Sequence, residues 1–114
     1  MSECIFCKIA KGDVKADIVY TDDEIVAFRD INGKAPTHIV LVPRKHIERV
    51  ADIEDEDALL AGRLVVAAKR LAREAGIEES GYRLVFNCNR DAGQEVFHLH
   101  MHLLGGRKFA WPPG

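Results

Sequence analysis

The sequence predicts an α+β domain with an antiparallel sheet of about five strands, and three observations support that prediction. Short segments rich in β-branched and apolar residues, separated by turn residues, fill the chain between residues 18 and 42. One long amphipathic helix follows at residues 55–75, and further strand segments occupy residues 82–104. Because the early connections are hairpin-like, they favour an antiparallel sheet. The 114 residues contain no repeat or long linker, so we expect one domain over residues 1–114.

The first part of the chain supplies a short N-terminal helix and three strands. Residues 5–10 predict a turn of helix that Gly12 ends. The predicted strands span residues 18–21, 24–29 and 38–42, with a hairpin turn at Thr21-Asp22-Asp23, a loop marked by Asn32-Gly33 and Pro36, and a stop at Pro43. The third of these strands is mostly β-branched and apolar, which is typical of a buried strand.

Residues 55–75 form the strongest predicted helix of the chain. Its acidic start, Glu54 to Asp57, suits the positive end of the helix dipole, and Gly76 suits the left-handed residue after the helix. Apolar residues recur at helical spacing and define one face: Leu60, Leu64, Ala67, Ala68, Leu71 and Ala75.

Two more strands are predicted after the helix. One spans residues 82–87 and the other spans residues 97–104, with a turn or loop at residues 90–94 between them. Gly105-Gly106 closes the last strand, and residues 107–114 form an irregular tail that includes Trp111.

Composition argues against several classes of function. The formal net charge is −2 and charges of both signs are scattered, so the chain lacks the basic face of a nucleic-acid-binding protein. No segment approaches the roughly 20 apolar residues that span a bilayer, and the first residues do not resemble a secretory signal. We therefore expect a cytoplasmic location with neither a nucleic-acid nor a membrane partner. The three cysteines indicate metal ligands or free thiols rather than a disulfide framework.

The most informative segment is His98-Leu99-His100-Met101-His102-Leu103-Leu104. Side chains alternate between the two faces of a strand, so the three histidines share one face. The apolar residues between them point to the other face, where we expect them to pack against the long helix. Strict alternation of three histidines with apolar residues is hard to explain as a solvated face alone.

Two chemical interpretations of this histidine face are open. Imidazole is a common zinc ligand, but the outer rings are about 13 Å apart along a straight strand, so two neighbours share an ion more easily than all three. Histidine also titrates near neutrality, so a neutral ring can attack an electrophile while its neighbours carry protons. The central position, His100, has an imidazole on either side and suits the nucleophile.

Several segments together resemble the histidine-triad (HIT) family, and in particular its Hint branch. The histidine segment matches the family's His-x-His-x-His-x-x signature, with an apolar residue at every x. The other similar segments are Cys4-Ile5-Phe6-Cys7-Lys8-Ile9, Ala27-Phe28-Arg29-Asp30-Ile31, Ala35-Pro36-Thr37-His38, Val42-Pro43-Arg44-Lys45-His46, Gly93-Gln94-Glu95-Val96-Phe97, Leu104-Gly105-Gly106-Arg107 and Trp111-Pro112-Pro113-Gly114. The likeness covers nearly the whole chain.

The resemblance implies a HIT-like fold in which the sheets of two subunits join across a homodimer. It also implies binding of purine nucleotides such as AMP or GMP. The implied reaction is hydrolysis of the P–N bond of nucleoside 5′-phosphoramidates, such as AMP-NH2 or AMP-lysine, through a covalent nucleotidyl-histidine intermediate that releases AMP. Two alternatives stay open: a dinucleoside polyphosphate hydrolase of another HIT branch, and a non-catalytic nucleotide-binding scaffold.

The resemblance also assigns roles to residues. His100 corresponds to the nucleophile, His102 to a phosphate contact that helps the leaving amine take its proton, and His38 to a support of that proton network. Asp30 corresponds to the residue that holds the ribose hydroxyls, although an Asp before Asn32-Gly33 is also typical of a turn. The remaining nucleotide-binding positions are Ile5, Phe6, Phe28 and Ile31 around the base, and Asn87, Gly93, Gln94 and Val96 near the phosphate, beside His100 and His102.

Position 95 departs from the animal Hint proteins, which have a serine there. A carboxylate beside a phosphate repels it, so we expect Glu95 to point away or to contact the basic part of a substrate, such as a lysyl leaving group.

Cys4 and Cys7 form half of a tetrahedral zinc site. Some HIT relatives complete such a site with the histidine of the Pro-x-x-His segment and the first histidine of the triad, which correspond here to His46 and His98. The resemblance thus implies a structural zinc ion, with no cofactor required for the chemistry. The alternative is a pair of reduced, partly buried thiols without metal.

Overall fold

The computed structural model describes residues 4–114 and contains one five-stranded antiparallel sheet. The strands are β1 Ile18–Thr21, β2 Ile25–Arg29, β3 Thr37–Pro43, β4 Tyr82–Val85 and β5 Met101–Gly105, and the α-helices are α1 Ile5–Lys11 and α2 Ala58–Glu74. Short 3-10 turns lie at Val50–Asp52, Asp55–Asp57 and Arg90–Ala92. The order across the sheet is β1-β2-β3-β5-β4, and every neighbouring pair is antiparallel. The predicted α+β class, with about five strands, one long helix and a short N-terminal helix, is confirmed.

The helix boundaries follow the local sequence signals. Gly12 ends α1 in the left-handed conformation at φ 82°. The acidic residues before α2 form a 3-10 turn with a reciprocal capping box between Glu54 and Asp57, which satisfies backbone donors at the start of the helix. Asp57 is buried and accepts a hydrogen bond from Lys45 Nζ at 2.6 Å.

The histidine segment is only partly a strand, which corrects the prediction for residues 97–104. β5 begins at Met101, which pairs with Leu41 of β3. The residues of the histidine segment before Met101 do not pair with β3. Instead, the backbone N–H of Leu99 donates to the carbonyl of Ile47 at 2.6 Å. β4 is also shorter than predicted, because Val85 already pairs with His102 near the start of β5.

The sheet has two buried faces, and they carry different chemistry. On one face, Leu99, Met101 and Leu103 belong to a buried cluster with Leu64 and Leu71 of α2. The predicted packing of these apolar residues against the long helix is confirmed. On the other face, a smaller cluster joins Ile9 of α1 to apolar residues of β2 and β3: Val26, Phe28, Val40 and Val42. His38, which alternates with Ile39 along β3, therefore lies on the α1 face.

Among residues 4–114, no helix combines the length and the apolar character needed to cross a bilayer.

Candidate active site

A cleft of about 650 Å³ lies on the α1 face of the sheet. Its volume falls in the range of pockets for small molecules. All eleven predicted nucleotide-binding residues line it: Ile5, Phe6, Phe28, Asp30, Ile31, Asn87, Gly93, Gln94, Val96, His100 and His102. His38 and Glu95 line it as well. The structure thus brings together residues from α1, β2, β3, β5 and the loop around residue 94.

His100 is held in one tautomer by the backbone. Its Nδ1 lies 2.7 Å from the carbonyl oxygen of His98, so Nδ1–H donates the hydrogen bond. A neutral imidazole has one N–H, which leaves the lone pair of His100 on Nε2. The residue is 9% exposed, and its ring packs edge-on against Phe6 with centroids 5.1 Å apart. A ring in this state is suited to nucleophilic attack.

His38 and His102 form a directed hydrogen-bonded pair. The backbone N–H of Lys34 donates to His38 Nδ1 at 3.0 Å, so the proton of a neutral His38 is on Nε2. That Nε2 lies 2.9 Å from Nδ1 of His102 and donates to it. His102 therefore carries its own proton on Nε2. Its ring packs against that of His100 with centroids 5.1 Å apart, so the two rings are neighbours in the cleft.

Burial keeps both members of this pair neutral. Burial, with smaller contributions from the neighbouring His100 and His38, lowers the pKa of His102 to about 4 against the opposing charge of Asp30. Burial also lowers the pKa of His38, and Asp30 partly offsets that effect. At neutral pH the His38–His102 pair of the free protein is thus uncharged.

Asp30 lies at the end of β2 beside this pair. Its Oδ1 accepts the backbone N–H of Asn32 at 2.7 Å, which is the turn interaction expected for an Asp at this position. Its Oδ2 is 3.5 Å from His38 Nε2. The turn interaction is therefore observed, and Oδ2, which takes no part in it, faces the histidine pair. The ribose contact stays a prediction.

The apolar wall of the cleft comes from α1 and β2. The rings of Phe6 and Phe28 pack edge to face with centroids 5.5 Å apart. Phe28 is 6% exposed, Ile5 is 40% exposed, and Ile31 is 94% exposed. Phe28 thus belongs to the core as well as to the cleft, whereas Ile31 lies at the open rim.

Gln94 supports the loop that closes one side of the cleft. Its Oε1 accepts the backbone N–H of Asn89, and its Nε2 donates to the carbonyls of Glu48 and Val96. The residue is 8% exposed, and its amide nitrogen donates to two carbonyls within the protein. Glu95, the next residue, is exposed at the cleft.

A second cluster joins α1 to the histidine segment. One nitrogen or sulfur atom from each of Cys4, Cys7, His46 and His98 lies within 4.8 Å of the others. The Nδ1 atoms of the two histidines are 3.1 Å apart, and Cys4 Sγ and Cys7 Sγ each lie 3.3 Å from one of them. Ideal tetrahedral zinc coordination requires N–N and S–N separations of about 3.3 and 3.6 Å, so the four residues fit the ion.

The protonation of His98 also fits a metal ligand. His98 is fully buried, and its Nε2 donates to the carbonyl of Pro43 at 2.7 Å, which leaves the lone pair on Nδ1. Metal-bound histidines commonly have such a partner on the other nitrogen. Burial, followed by the hydrogen bond and charge of Cys4, raises the pKa of the Cys7 thiol. A bound cation reverses that effect, because it stabilises the thiolate.

Several groups that define the site were absent from the sequence prediction. They are backbone atoms: the N–H of Lys34 and the carbonyls of Pro43 and His98. Any residue type supplies these groups, so no side-chain pattern reveals them. The α1–β1 connection also lines the cleft, through Val14, Lys15, Ala16 and Asp17.

Comparison with known proteins decides the family. The HIT domain model matches residues 11–109. The chain is 50% identical over 105 residues to the purine nucleoside phosphoramidase of Escherichia coli (strain K12), and the match covers 92% of this chain and 88% of that protein. The chain belongs to the HIT family.

Solved structures of HIT proteins have the same fold. The HIT family hydrolase from Legionella pneumophila Philadelphia 1 is 52% identical, with a TM-score of 0.97 and coverage of 98% of this chain and 100% of that one. A histidine triad protein from Clostridium difficile is 43% identical, with a TM-score of 0.94 and 96% coverage of both chains. The family assignment that the sequence predicted is confirmed.

Proposed function

We propose that this HIT protein is a purine nucleoside phosphoramidase, which hydrolyses the P–N bond of nucleoside 5′-phosphoramidates such as AMP-NH2 or AMP-lysine. The observation that carries the proposal is the tautomer of His100, which leaves a lone pair on Nε2 of a ring that lines the cleft next to the ring of His102. The similarity to the E. coli phosphoramidase supports the same substrate class.

Binding orients the nucleotide before the reaction. The purine packs against the apolar wall formed by Ile5, Phe6 and Phe28, and the ribose hydroxyls donate to Asp30. The phosphate lies between His100 and the loop at residues 93–96, with Asn87 nearby. Fixing the phosphorus next to the attacking nitrogen lowers the entropic cost of the reaction.

The reaction has two displacements. His100 Nε2 attacks the α-phosphorus, the P–N bond breaks, and the leaving amine takes a proton through His102. Water then attacks the phosphorus of the nucleotidyl-imidazole, which frees His100 and releases AMP. The covalent route divides one difficult substitution into two easier ones. The polarity of the His38–His102 pair supports this role, because it directs an N–H of His102 away from His38.

We also infer that Cys4, Cys7, His46 and His98 hold a structural zinc ion. Zinc at this site supplies no chemistry to the reaction. It ties α1, which carries Phe6, to the segment that carries His100.

We further infer that the chain forms a homodimer through its sheet edge. Within residues 4–114, β4 lies at one end of the strand order and β5 is the one strand that pairs with it, so its outer edge is a candidate for pairing with a second chain. Light scattering coupled to gel filtration tests this directly: the mass of two chains supports the inference, and the mass of one chain contradicts it.

The test of the proposed function is turnover of an adenosine 5′-phosphoramidate. We expect the wild-type protein to release AMP and the amine, and His100→Ala to lose turnover while still binding AMP. Faster cleavage of diadenosine polyphosphates than of AMP-amines favours the other HIT hydrolase class. Tight AMP binding without turnover of any phosphoramidate favours a nucleotide-binding scaffold.

A further inference from the structure

We propose that Asp30 is a positioning residue for proton transfer as well as a ribose ligand. When the His38–His102 pair holds the proton that the leaving amine will take, one N–H of the pair loses its acceptor. Oδ2 of Asp30 then accepts the hydrogen bond from that N–H. The inference rests on the proposed function and adds a second role to a residue of the same site.

Two hydrogen bonds hold Asp30 in place next to His38. The backbone N–H of Asp30 donates to the carbonyl of His38 at 3.0 Å, and Asn32 N–H holds Oδ1 at 2.7 Å. These contacts leave Oδ2 facing His38 Nε2 at 3.5 Å. The side chain of Asp30 is 25% exposed, whereas that of His38 is 6% exposed, so the carboxylate reaches both the cleft and the buried ring.

With one extra proton, the His38–His102 pair needs an additional hydrogen-bond acceptor. In the free protein, one proton occupies the 2.9 Å gap between His38 Nε2 and His102 Nδ1. An extra proton on the pair makes His102 an imidazolium, with N–H groups on both of its nitrogens. His38 cannot move its own proton from Nε2 to Nδ1, because Nδ1 already accepts the backbone N–H of Lys34. Two N–H groups then face each other across the gap, and one of them must turn to another acceptor.

Asp30 Oδ2 is the acceptor in reach. One ligand atom from each of Asp30, His38 and His102 lies within 4.8 Å of the other two. The other charged or titratable groups that act on the pair, Lys34 and His100, disfavour its protonation, whereas the charge of Asp30 favours it on both rings. The carboxylate thus supplies both a hydrogen-bond acceptor and a compensating charge.

The first displacement transfers one proton from the pair to the leaving nitrogen. His100 Nε2 forms a bond to phosphorus, the P–N bond of the substrate breaks, and its electron pair stays on the leaving nitrogen. That nitrogen takes the Nε2 proton of the His102 imidazolium, which becomes neutral again. The pair takes this extra proton from solvent when the anionic substrate binds. In the second displacement the attacking water gives one proton to the pair, and the bond between phosphorus and His100 Nε2 breaks with its electron pair returning to that nitrogen. The proton passes to solvent as AMP leaves, which restores the neutral pair.

The test separates the ribose role from the proton role with four substrates. Asp30→Asn keeps an oxygen for Asn32 N–H but removes the charge. It is assayed on an adenosine 5′-phosphoramidate of an alkylamine and on the 4-nitrophenyl ester of AMP, each with ribose and with 2′,3′-dideoxyribose. An alkylamine needs a proton to leave, whereas nitrophenolate leaves without one.

We expect Asp30→Asn to lower kcat for the alkylamine substrate by about tenfold or more with either sugar. This is less than the roughly 10²–10⁴-fold that general acid catalysis supplies, because the proton donor His102 is retained. For the dideoxy nitrophenyl ester we expect a loss below about threefold, because no proton donor is required. Asp30→Glu, which keeps the charge, should recover part of the alkylamine activity. Asp23→Asn, on the exposed β1–β2 turn, is the matched control, and melting temperatures check the fold of each variant.

Equal losses on both leaving groups overturn the inference, and so does an Asp30→Asn variant that matches the wild type on the dideoxy alkylamine substrate. Either result leaves the proposed function intact, because the wild type still turns over. A wild-type protein that fails to cleave the ribose alkylamine substrate overturns the function and the inference together.

Discussion

The carbonyl oxygen of His98 accepts the Nδ1–H of His100 at 2.7 Å, and the Nδ1 of the same His98 belongs to the four-residue metal cluster. One residue thus connects the cluster that holds α1 to the tautomer of the proposed nucleophile. We therefore expect a shift of His98 in the cluster to move the carbonyl oxygen that orients the ring of His100.

The first prediction follows from this connection. We expect zinc to raise the melting temperature of the wild type, because an ion that binds only the folded state at 100 to 1,000 times its Kd stabilises it by about 3–4 kcal/mol. Cys7→Ser should lose this stabilisation and also lower kcat. Cys88→Ser is the control, since that free cysteine lies outside the cluster. Scanning calorimetry with and without zinc measures the effect, and identical melting of loaded and chelated wild type contradicts it.

The second prediction concerns pH and His102. Its pKa falls from 6.5 in the unfolded chain to about 4 in the folded protein, mainly through burial. Between these values the unfolded state binds the additional proton, so the free energy of unfolding decreases as the pH falls from 6.5 towards 4. Urea titrations at several pH values should show a shallower decrease for His102→Asn than for the wild type. Parallel curves for the two proteins exclude this contribution.

The third prediction assigns leaving-group preference to Glu95, which is exposed at the cleft. Glu95→Gln should lower kcat/KM for AMP-lysine by about two- to fivefold, the range for an exposed ion pair worth up to about 1 kcal/mol. The same variant should hydrolyse the phosphoramidate of a neutral alkylamine at the wild-type rate. A similar loss on both substrates would show that Glu95 does not contact the basic group.

The fourth prediction separates support of the loop from contact with the substrate. Gln94→Ala removes three hydrogen bonds and leaves backbone groups of Glu48 and Asn89 without their partner, so we expect a loss of about 1–3 kcal/mol in stability. Glu95→Ala, one residue along, makes no comparable contacts within residues 4–114 and should melt close to the wild type. Chemical denaturation of both variants provides the comparison, and equal stability would remove Gln94 from this structural role.

Much of the fold was predictable because it depends on periodicity. The alternation around Met101 and Leu103 placed the histidines on one face, and the helical repeat of Leu64 and Leu71 located the partner of the other face. The limits of β5 were not predictable, because they depend on how far two strands stay paired in the folded chain. Alternation alone does not show that β3, which runs to Pro43, pairs with β5 only as far as Leu41.

The candidate site was predictable in its residue types but not in its protonation. The resemblance to the HIT family indicated His38, His100 and His102, and the structure brings them to one cleft. The direction of each hydrogen bond depends on backbone atoms of Lys34 and His98, whose positions follow from tertiary packing. For the same reason, the sequence indicated a ribose ligand at Asp30 but gave no sign of its distance from His38.

The most direct test of the account is to trap the covalent intermediate. Wild-type protein that is mixed with an adenosine 5′-phosphoramidate, quenched in alkali during turnover and digested should yield one nucleotidylated peptide, with the modification on His100. Fragmentation by mass spectrometry identifies the modified ring. Full AMP release without any adduct at His100, or an adduct on another histidine, would contradict the proposal that His100 Nε2 attacks the phosphorus.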